Sequence, residues 1–254
     1  MCRLHFSDIY PTEEVASTYT YLSELKETHP DLPSGSYVTA AYQTAGRGQR
    51  GNSWFASPGA SLIPSFLISE TGLKATEGWA VSEWVALSLH RAVCSFLPHS
   101  EALRIKWPND LYYKNSKLAG ILIAHTLKAD TIDYSVVGVG LNVNEAHFPE
   151  EVPNPVSLYQ IVGAKVPLES AEQAFKQQLI ALFPLLLTAE GRAQLHENYL
   201  HNLYRLGQKG SFHDVATGEP FDGTITGVAP SGRLLLTDST GAERSFAFKE
   251  VAYL

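Results

Sequence analysis

Cysteine is scarce in this chain of 254 residues, with Cys2 and Cys94 the two present. They form neither a disulfide framework nor a zinc spacing, which excludes a stapled scaffold or a zinc ribbon. Long apolar runs are missing too. The longest, Leu179 to Leu187, spans nine residues and contains Pro184. A membrane-spanning helix needs about twenty, so no membrane partner is expected. The opening stretch MCRLHFSDIYPTEE lacks an apolar run of signal-peptide length, so a cytoplasmic location is expected. Basic side chains are outnumbered, 19 against 26 acidic ones, for a formal charge of −7. A chain of that sign repels polyphosphate overall, which argues against nucleic acid as a partner. Any anionic ligand must therefore meet a local basic site.

What is present is a folding chain: 44% hydrophobic and 18% charged residues exclude a disordered or fibrous protein. Leu4 to Tyr10 reads as a strand, followed by a helix for which Ser17 and Thr18 are natural caps. Tyr37 to Thr44 reads as a strand, and so does 61–69, weakened by Pro64. From Glu77 to Leu97, Val81, Trp84, Val85, Leu89, Ala92, Val93 and Phe96 repeat at three- and four-residue steps. That period predicts a long helix packed on a sheet. Strands are expected over Leu103 to Trp107, Lys117 to Leu127 and Asp133 to Val143. A Pro-rich loop at 150–160 and helices over 170–188 and 192–204 follow. After Leu206, closely spaced glycines separate short alternating runs, the pattern of a small β-barrel. The expected division is 1–205 and 206–254.

Three motifs carry chemistry. Gly46-Arg47-Gly48-Gln49-Arg50-Gly51 contains the dinucleotide fingerprint GxGxxG, but a helix must begin at its last glycine. Here NSWFASPGAS follows and no helix starts. The glycines instead let backbone approach a ligand, with Arg47 and Arg50 as rigid forks and Trp54 as a flat face. Read alone, the loop is either that or a turn with solvated arginines. Lys106-Trp107-Pro108-Asn109-Asp110 ends one strand and Lys117-Leu118-Ala119-Gly120-Ile121-Leu122 opens the next. The two lysines, amide and carboxylate could hold an anion and Mg²⁺, or could simply cap a hairpin. Gly138-Val139-Gly140-Leu141-Asn142-Val143-Asn144 is an apolar strand ending in amides, where Asn142 either reads a base edge or terminates a turn. The basic residues gather in two of these segments: Arg47 and Arg50 within 46–54, and Arg104, Lys106, Lys114 and Lys117 within 104–117.

Taken together and in this order, GRGQRGNSW, KWPNDLYYKNSKLAGIL and VVGVGLNVN, with Ser17-Thr18 before a helix and Gln43 before the glycine loop, resemble biotin protein ligases. The likeness is to the short form without an N-terminal DNA-binding domain. It covers roughly residues 10–145 in motifs and the rest in architecture. It implies an α+β fold, a class II synthetase-like catalytic domain with a mixed sheet and helices, plus a small C-terminal SH3-like β-barrel.

The resemblance also implies an ATP-dependent ligase. Biotin and MgATP would give biotinyl-5′-AMP and pyrophosphate, and biotin would then pass to a lysine of a biotin carboxyl carrier protein or domain. By matching position, Arg47 and Lys117 hold the biotin carboxylate and the developing acyl phosphate. Ser17, Thr18 and Gln43 meet the ureido ring, and Gly46 and Gly48 contribute loop contacts. Arg50, Trp54, Lys106, Asn109 and Asn142 fall to the nucleotide, and Asp110 to the metal. The glycine loop is expected to close over biotin. Two positions depart from the family pattern: Gln49, often Arg, and Tyr19, often Asn. A lipoate or octanoate ligase or transferase of the same fold is the alternative. A DNA-binding ligase–repressor is the other, for which about sixty residues of helix-turn-helix would have to precede Ser17. His196 and His201 form no metal pattern; Cys94, Trp79 and Trp84 read as packing residues.

Overall fold

The computed structural model describes residues 4–8 and 12–254, without the side chains of Asp8, Thr12 and Arg50. Cys2 and the end of the first expected strand lie outside the described residues. The first half holds β1 (Ser7–Asp8), β2 (Thr12–Val15), α1 (Thr18–Thr28), β3 (Ser36–Val38), β4 (Ala40–Gln43), β5 (Ser61–Leu62) and β6 (Ser65–Ser69). Then come α2 (Trp79–Cys94), β7 (Leu103–Lys106), β8 (Asp110–Tyr113), β9 (Ser116–Lys128) and β10 (Thr131–Asn142). Three helices follow: α3 (Leu158–Val162), α4 (Leu168–Leu186) and α5 (Ala189–His201).

Among the described residues, the main sheet has the order β1-β3-β6-β10-β9-β8-β7, with β5 also on β10. It is mixed: β1 runs parallel to β3, and the other pairs are antiparallel. Alternation along its strands sorts the core onto two faces. Val137, Val139 and Leu141 of β10, with Phe66 and Ile68 of β6, join the large cluster under α2 and α4. Val136 and Leu67, one residue out of phase, join Leu22 of α1 on the other face. Trp84 is fully buried and its indole N–H donates to Leu179 O at 3.1 Å, tying α2 to α4.

Three sequence expectations change. The strand expected over 37–44 is two strands. β3 pairs with β6 in the main sheet, whereas β4 pairs in parallel with β2. Hydrophobic alternation marks faces but does not reveal where a strand changes partner. The stretch 61–69 breaks at Pro64, whose carbonyl accepts from Val139 N at 2.9 Å but which has no N–H to return. The hairpin between 107 and 117 contains an additional strand, β8, so that Lys106 and Asp110 face each other across β7 and β8.

The C-terminal strands are β11 (Lys209–Asp214), β12 (Glu219–Val228), β13 (Leu234–Asp238), β14 (Glu243–Phe246) and β15 (Val251–Tyr253), all antiparallel in the order β14-β13-β12-β11-β15. This sheet is rolled. Phe221 of β12 and Phe246 of β14 lie 5.7 Å apart by ring centroids across an intervening strand, where a flat sheet would separate the strands by about 9.6 Å. Arg244 of β14 also pairs with Asp214 of β11, three positions away. The small C-terminal β domain expected after Leu206 is therefore present, as a rolled antiparallel sheet.

Candidate active site

The α1-side face of β9 and β10 is cleared of side chains where the motifs converge. Because β10 alternates, Val137, Val139, Leu141 and Val143 enter the core under α2 and α4, and Gly138, Gly140 and Asn142 turn to the opposite face. The register places Gly140 opposite Gly120 and Gly138 opposite Leu122. These residues floor a cavity of about 1060 Å³. Trp54 lies across the glycines: a Cβ on Gly140 would stand 2.2 Å from Trp54 Cε2, and one on Gly120 2.9 Å from Cζ3. Only glycine permits that approach. The Trp54 indole N–H is buried with no hydrogen-bond partner among the described residues.

The glycine loop is a closed hairpin. Trp54 N donates to Gly46 O at 2.9 Å and Gly48 N to Asn52 O at 2.7 Å, around a 3₁₀ turn over Gln49–Gly51. No helix begins at Gly51, as the loop sequence implies. Gly46 is buried in the hairpin base, where a Cβ would meet Trp54 O at 2.5 Å, and it does not line the cavity. Arg47, Gly48 and Gln49 do line it. Arg47 is exposed and donates to Thr20 Oγ1 at 3.3 Å. The Arg50 side chain lies outside the described residues.

A polar end is built by α1. Ser17 is its N-cap, accepting from Thr20 N at 3.4 Å. Thr18 N donates to Gln43 Oε1 at 2.8 Å, and Thr18 Oγ1 lies 3.0 Å from Ile63 O and 2.9 Å from Ser65 Oγ. Tyr19 stands over Gly138, its Cδ2 3.2 Å from where a Cβ would be. Ser17 and Thr18 are buried, so their polar atoms face the protein and the cavity rather than bulk solvent.

The cationic end comes from the β7–β8 turn and the start of β9. Lys117 Nζ pairs with Asp110 Oδ2 at 2.8 Å, both partly exposed to the cavity. Lys106 Nζ lies 4.5 Å above the Tyr112 ring and 4.6 Å above that of Tyr253, and donates to Tyr112 Oη at 3.3 Å. Burial holds the Lys106 ammonium below its usual pKa; Asp110 opposes this, while Lys117 and Arg205 add to it. Asn109 and Asn142 are buried with their amide N–H groups turned to backbone: Asn109 Nδ2 donates to Ile121 O, and Asn142 Nδ2 to Val156 O at 3.0 Å. Both still line the cavity. Among the described residues the lining cations are Arg47, Lys106, Lys117 and Lys249, against two carboxylates, Asp110 and Glu151.

Sequence reasoning did not anticipate several of these walls. The Pro-rich loop docks on the site, since Lys117 N donates to Asn154 O at 2.7 Å and Val156 N to Lys117 O at 2.9 Å. Phe148, Glu151 and Pro153 thereby line the cavity, as do Val215, Phe248 and Lys249 from the C-terminal strands and their loops. The β7–β8 turn, with its cis Trp107–Pro108 bond, is held from two sides. Tyr199 Oη donates to Pro108 O at 3.0 Å and Trp107 Nε1 to Gly232 O at 2.9 Å. No motif marks Tyr199 or Gly232; their distance from the turn in sequence hides them. His196, away from the cavity, lies 2.6 Å from the buried Glu83 carboxylate, which also accepts from Trp79 Nε1 at 2.8 Å.

No group of three or more His, Cys, Asp or Glu gathers among the described residues to hold a metal ion. The cavity instead suits a metal carried in on a polyphosphate, which needs one or two protein carboxylates at most.

A mixed sheet under helices, joined to a rolled five-stranded sheet, is a fold this chain shares with solved biotin protein ligases. The biotin protein ligase of Aquifex aeolicus, solved in complex with biotin and ATP, superposes with a TM-score of 0.76 over 97% of this chain and 98% of that one, at 22% identity. The family model for the biotin/lipoate A/B protein ligase family matches residues 12–142, and the chain belongs to that family. Among curated relatives, the bifunctional ligase/repressor BirA of Escherichia coli (strain K12) is 36% identical over 126 residues. That match covers 49% of this chain and 38% of the relative. The biotin–[acetyl-CoA-carboxylase] ligase of Paracoccus denitrificans is 28% identical over 234 residues, 90% of this chain and 95% of that one.

Proposed function

We propose that the chain activates biotin with MgATP to biotinyl-5′-AMP, releasing pyrophosphate, and then transfers biotin to the acceptor lysine of a biotin carboxyl carrier protein or domain. The observation that carries this reading is the convergence of Arg47, Lys106 and Lys117 on one cavity floored by glycines. Two anions, a carboxylate and a triphosphate, must be brought together there, and cations at both are what the reaction requires. The orphan Trp54 indole N–H supplies a buried donor for a ligand acceptor.

In this reading a biotin carboxylate oxygen attacks the α-phosphorus, and the bond to the bridging oxygen of pyrophosphate breaks. Lys117 and Arg47 neutralise the carboxylate and the pentacoordinate phosphorus. Lys106 takes the departing phosphates. Asp110 holds Lys117 in place, and the metal enters with the triphosphate as part of the substrate. Ser17, Thr18 and Gln43, with Gly48 from the loop, receive the ureido ring; Gly46 shapes the hairpin that carries it. Trp54, Asn109, Asn142 and Arg50 are assigned to the adenylate. In the second step the lysine amine attacks the acyl carbon and AMP leaves. Residues 1–205 form the catalytic unit, and 206–254 a wall of the cavity on the nucleotide side.

A dithiolane has no N–H or C=O, so the Thr18–Gln43–Ser65 group favours a cyclic urea over lipoate. Incubation with biotin, MgATP and a purified carrier domain tests the proposal. The expected result is a mass increase of one biotinyl group on the carrier lysine, with pyrophosphate released. Lipoate outcompeting biotin for adenylate formation would overturn it.

A further inference from the structure

A second cavity, of about 220 Å³, lies behind Lys106. Lys106 and Tyr253 line both cavities, so the ammonium stands on the wall between them. Arg205 supplies a second cation, and among the described residues no Asp or Glu side chain lines the space, which Leu254 also borders. Among the described residues Arg205 has no ion-pair partner; its guanidinium lies 5.1 Å from the Tyr204 ring. Two cations facing one space repel each other, and Arg205 adds to the burial that holds the Lys106 ammonium below its usual pKa, against the opposing influence of Asp110.

An independent observation points to a ligand. The Tyr253 hydroxyl is buried and has no hydrogen-bond partner among the described residues. A buried hydroxyl left unpaired is costly, and such groups normally have a partner. Burial keeps this phenol well above its usual pKa, with Arg205 the main opposing influence. Burial likewise pushes Tyr112, beside it, up to about 12. Both therefore stay protonated at neutral pH, as donors. Tyr112 Oη already accepts from Lys106, which leaves its own proton to give. Two cations and two phenolic donors match a small polyanion.

We propose that this second cavity is a receiving site for inorganic pyrophosphate, handed from the main cavity by Lys106 and held there by Arg205, Tyr112 and Tyr253. The proposal rests on the adenylation reading above, since adenylation is what produces pyrophosphate. Its place behind Lys106 separates the leaving group from the adenylate and so opposes the reverse reaction.

The test is calorimetric titration of inorganic pyrophosphate into the full chain, alone and with a non-hydrolysable biotinyl-adenylate analogue filling the main cavity. The wild-type chain should bind pyrophosphate in both states. Arg205→Gln should weaken that binding about tenfold or more, the loss of a charge-assisted contact. Tyr253→Phe, which removes one hydroxyl only, should weaken it severalfold. Both variants should bind biotin as the wild type does, which verifies their fold. Pyrophosphate binding that disappears when the analogue is present, or that is unchanged in both variants, would overturn the proposal. So would orthophosphate binding as tightly as pyrophosphate. Failure of the adenylation reading is separate: wild-type chain that releases no pyrophosphate from biotin and MgATP removes the product role, whatever the titration gives.

Discussion

Replacing Gly140 by alanine puts a methyl group where the Trp54 ring now lies. The new Cβ would stand 2.2 Å from Cε2 and 2.6 Å from both Cζ2 and Nε1. Carbon atoms in good contact are about 3.5–4.0 Å apart, so the rigid indole must retreat by about 1.5 Å. The sheet does not yield easily, because Leu141 and Val139 on either side are locked in the core. The glycine hairpin does yield, and with it Arg47 and Gly48. Overpacking costs about 1–3 kcal/mol, and a loop that moves away keeps the cost near the lower end. Misplacing binding groups by about 1 Å can cost about 10²-fold in rate. Gly140→Ala is therefore expected to lose about two orders of magnitude in biotin-dependent pyrophosphate release while its thermal unfolding moves little. In a Trp54→Ala background the same substitution should cost less than about threefold, because its clash partner is gone. Gly140→Ala with wild-type kcat/KM, or with an equal loss in both backgrounds, would refute the glycine-floor argument.

Further expectations concern charge. Lys117→Ala should lower biotinyl-5′-AMP formation by about 10²-fold or more, since it removes a donor to developing charge and leaves Asp110 unpaired; wild-type adenylate yield from the purified variant would end the role given to Lys117. His90 is buried, and burial lowers its pKa from 6.5 to about 4. The unfolded chain therefore binds an extra proton between those values, and stability should fall by on the order of 3 kcal/mol as pH drops from 6.5 to 4. In chemical denaturation, His90→Gln should flatten that acid limb; an unchanged slope would contradict it. His196 behaves oppositely. Its bond to Glu83 raises its pKa, so its contribution is complete below the unfolded value of 6.5 and disappears as pH rises through the raised one. The melting-temperature gap between wild type and His196→Gln should accordingly narrow from pH 6 to pH 9.

Much of this could be read along the chain because the signals are local. The α2 stripe from Val81 to Val93 has the helical period, and the helix runs Trp79–Cys94. The apolar content of 135–143 implies a central strand, and β10 occupies the middle of the sheet. Ser17 caps α1 by a contact three residues away, which the sequence displays directly. Lys106, Asn109, Asp110 and Lys117 lie on two successive hairpins within twelve residues, so their gathering needed no long-range information. Where the chain departs from expectation, a partner elsewhere decides. Tyr37 to Thr44 divides because its two halves find strands in different sheets.

By itself the sequence determined which residues carry charge, which segment forms the long amphipathic helix, and that short strands separated by glycines follow Leu206. Those features depend on residue type and on separations of a few positions. Only the tertiary structure decided that Trp54 lies on Gly120 and Gly140, that the Pro-rich loop pairs with Lys117, and that Tyr199 and Gly232 hold the WPN turn from 91 and 125 residues further along the chain. It also decided that Arg205 and Tyr253 meet behind Lys106. Contacts across 37 to 147 residues leave no periodicity to read. They exist because packing two sheets and their helices into one volume brings those surfaces together.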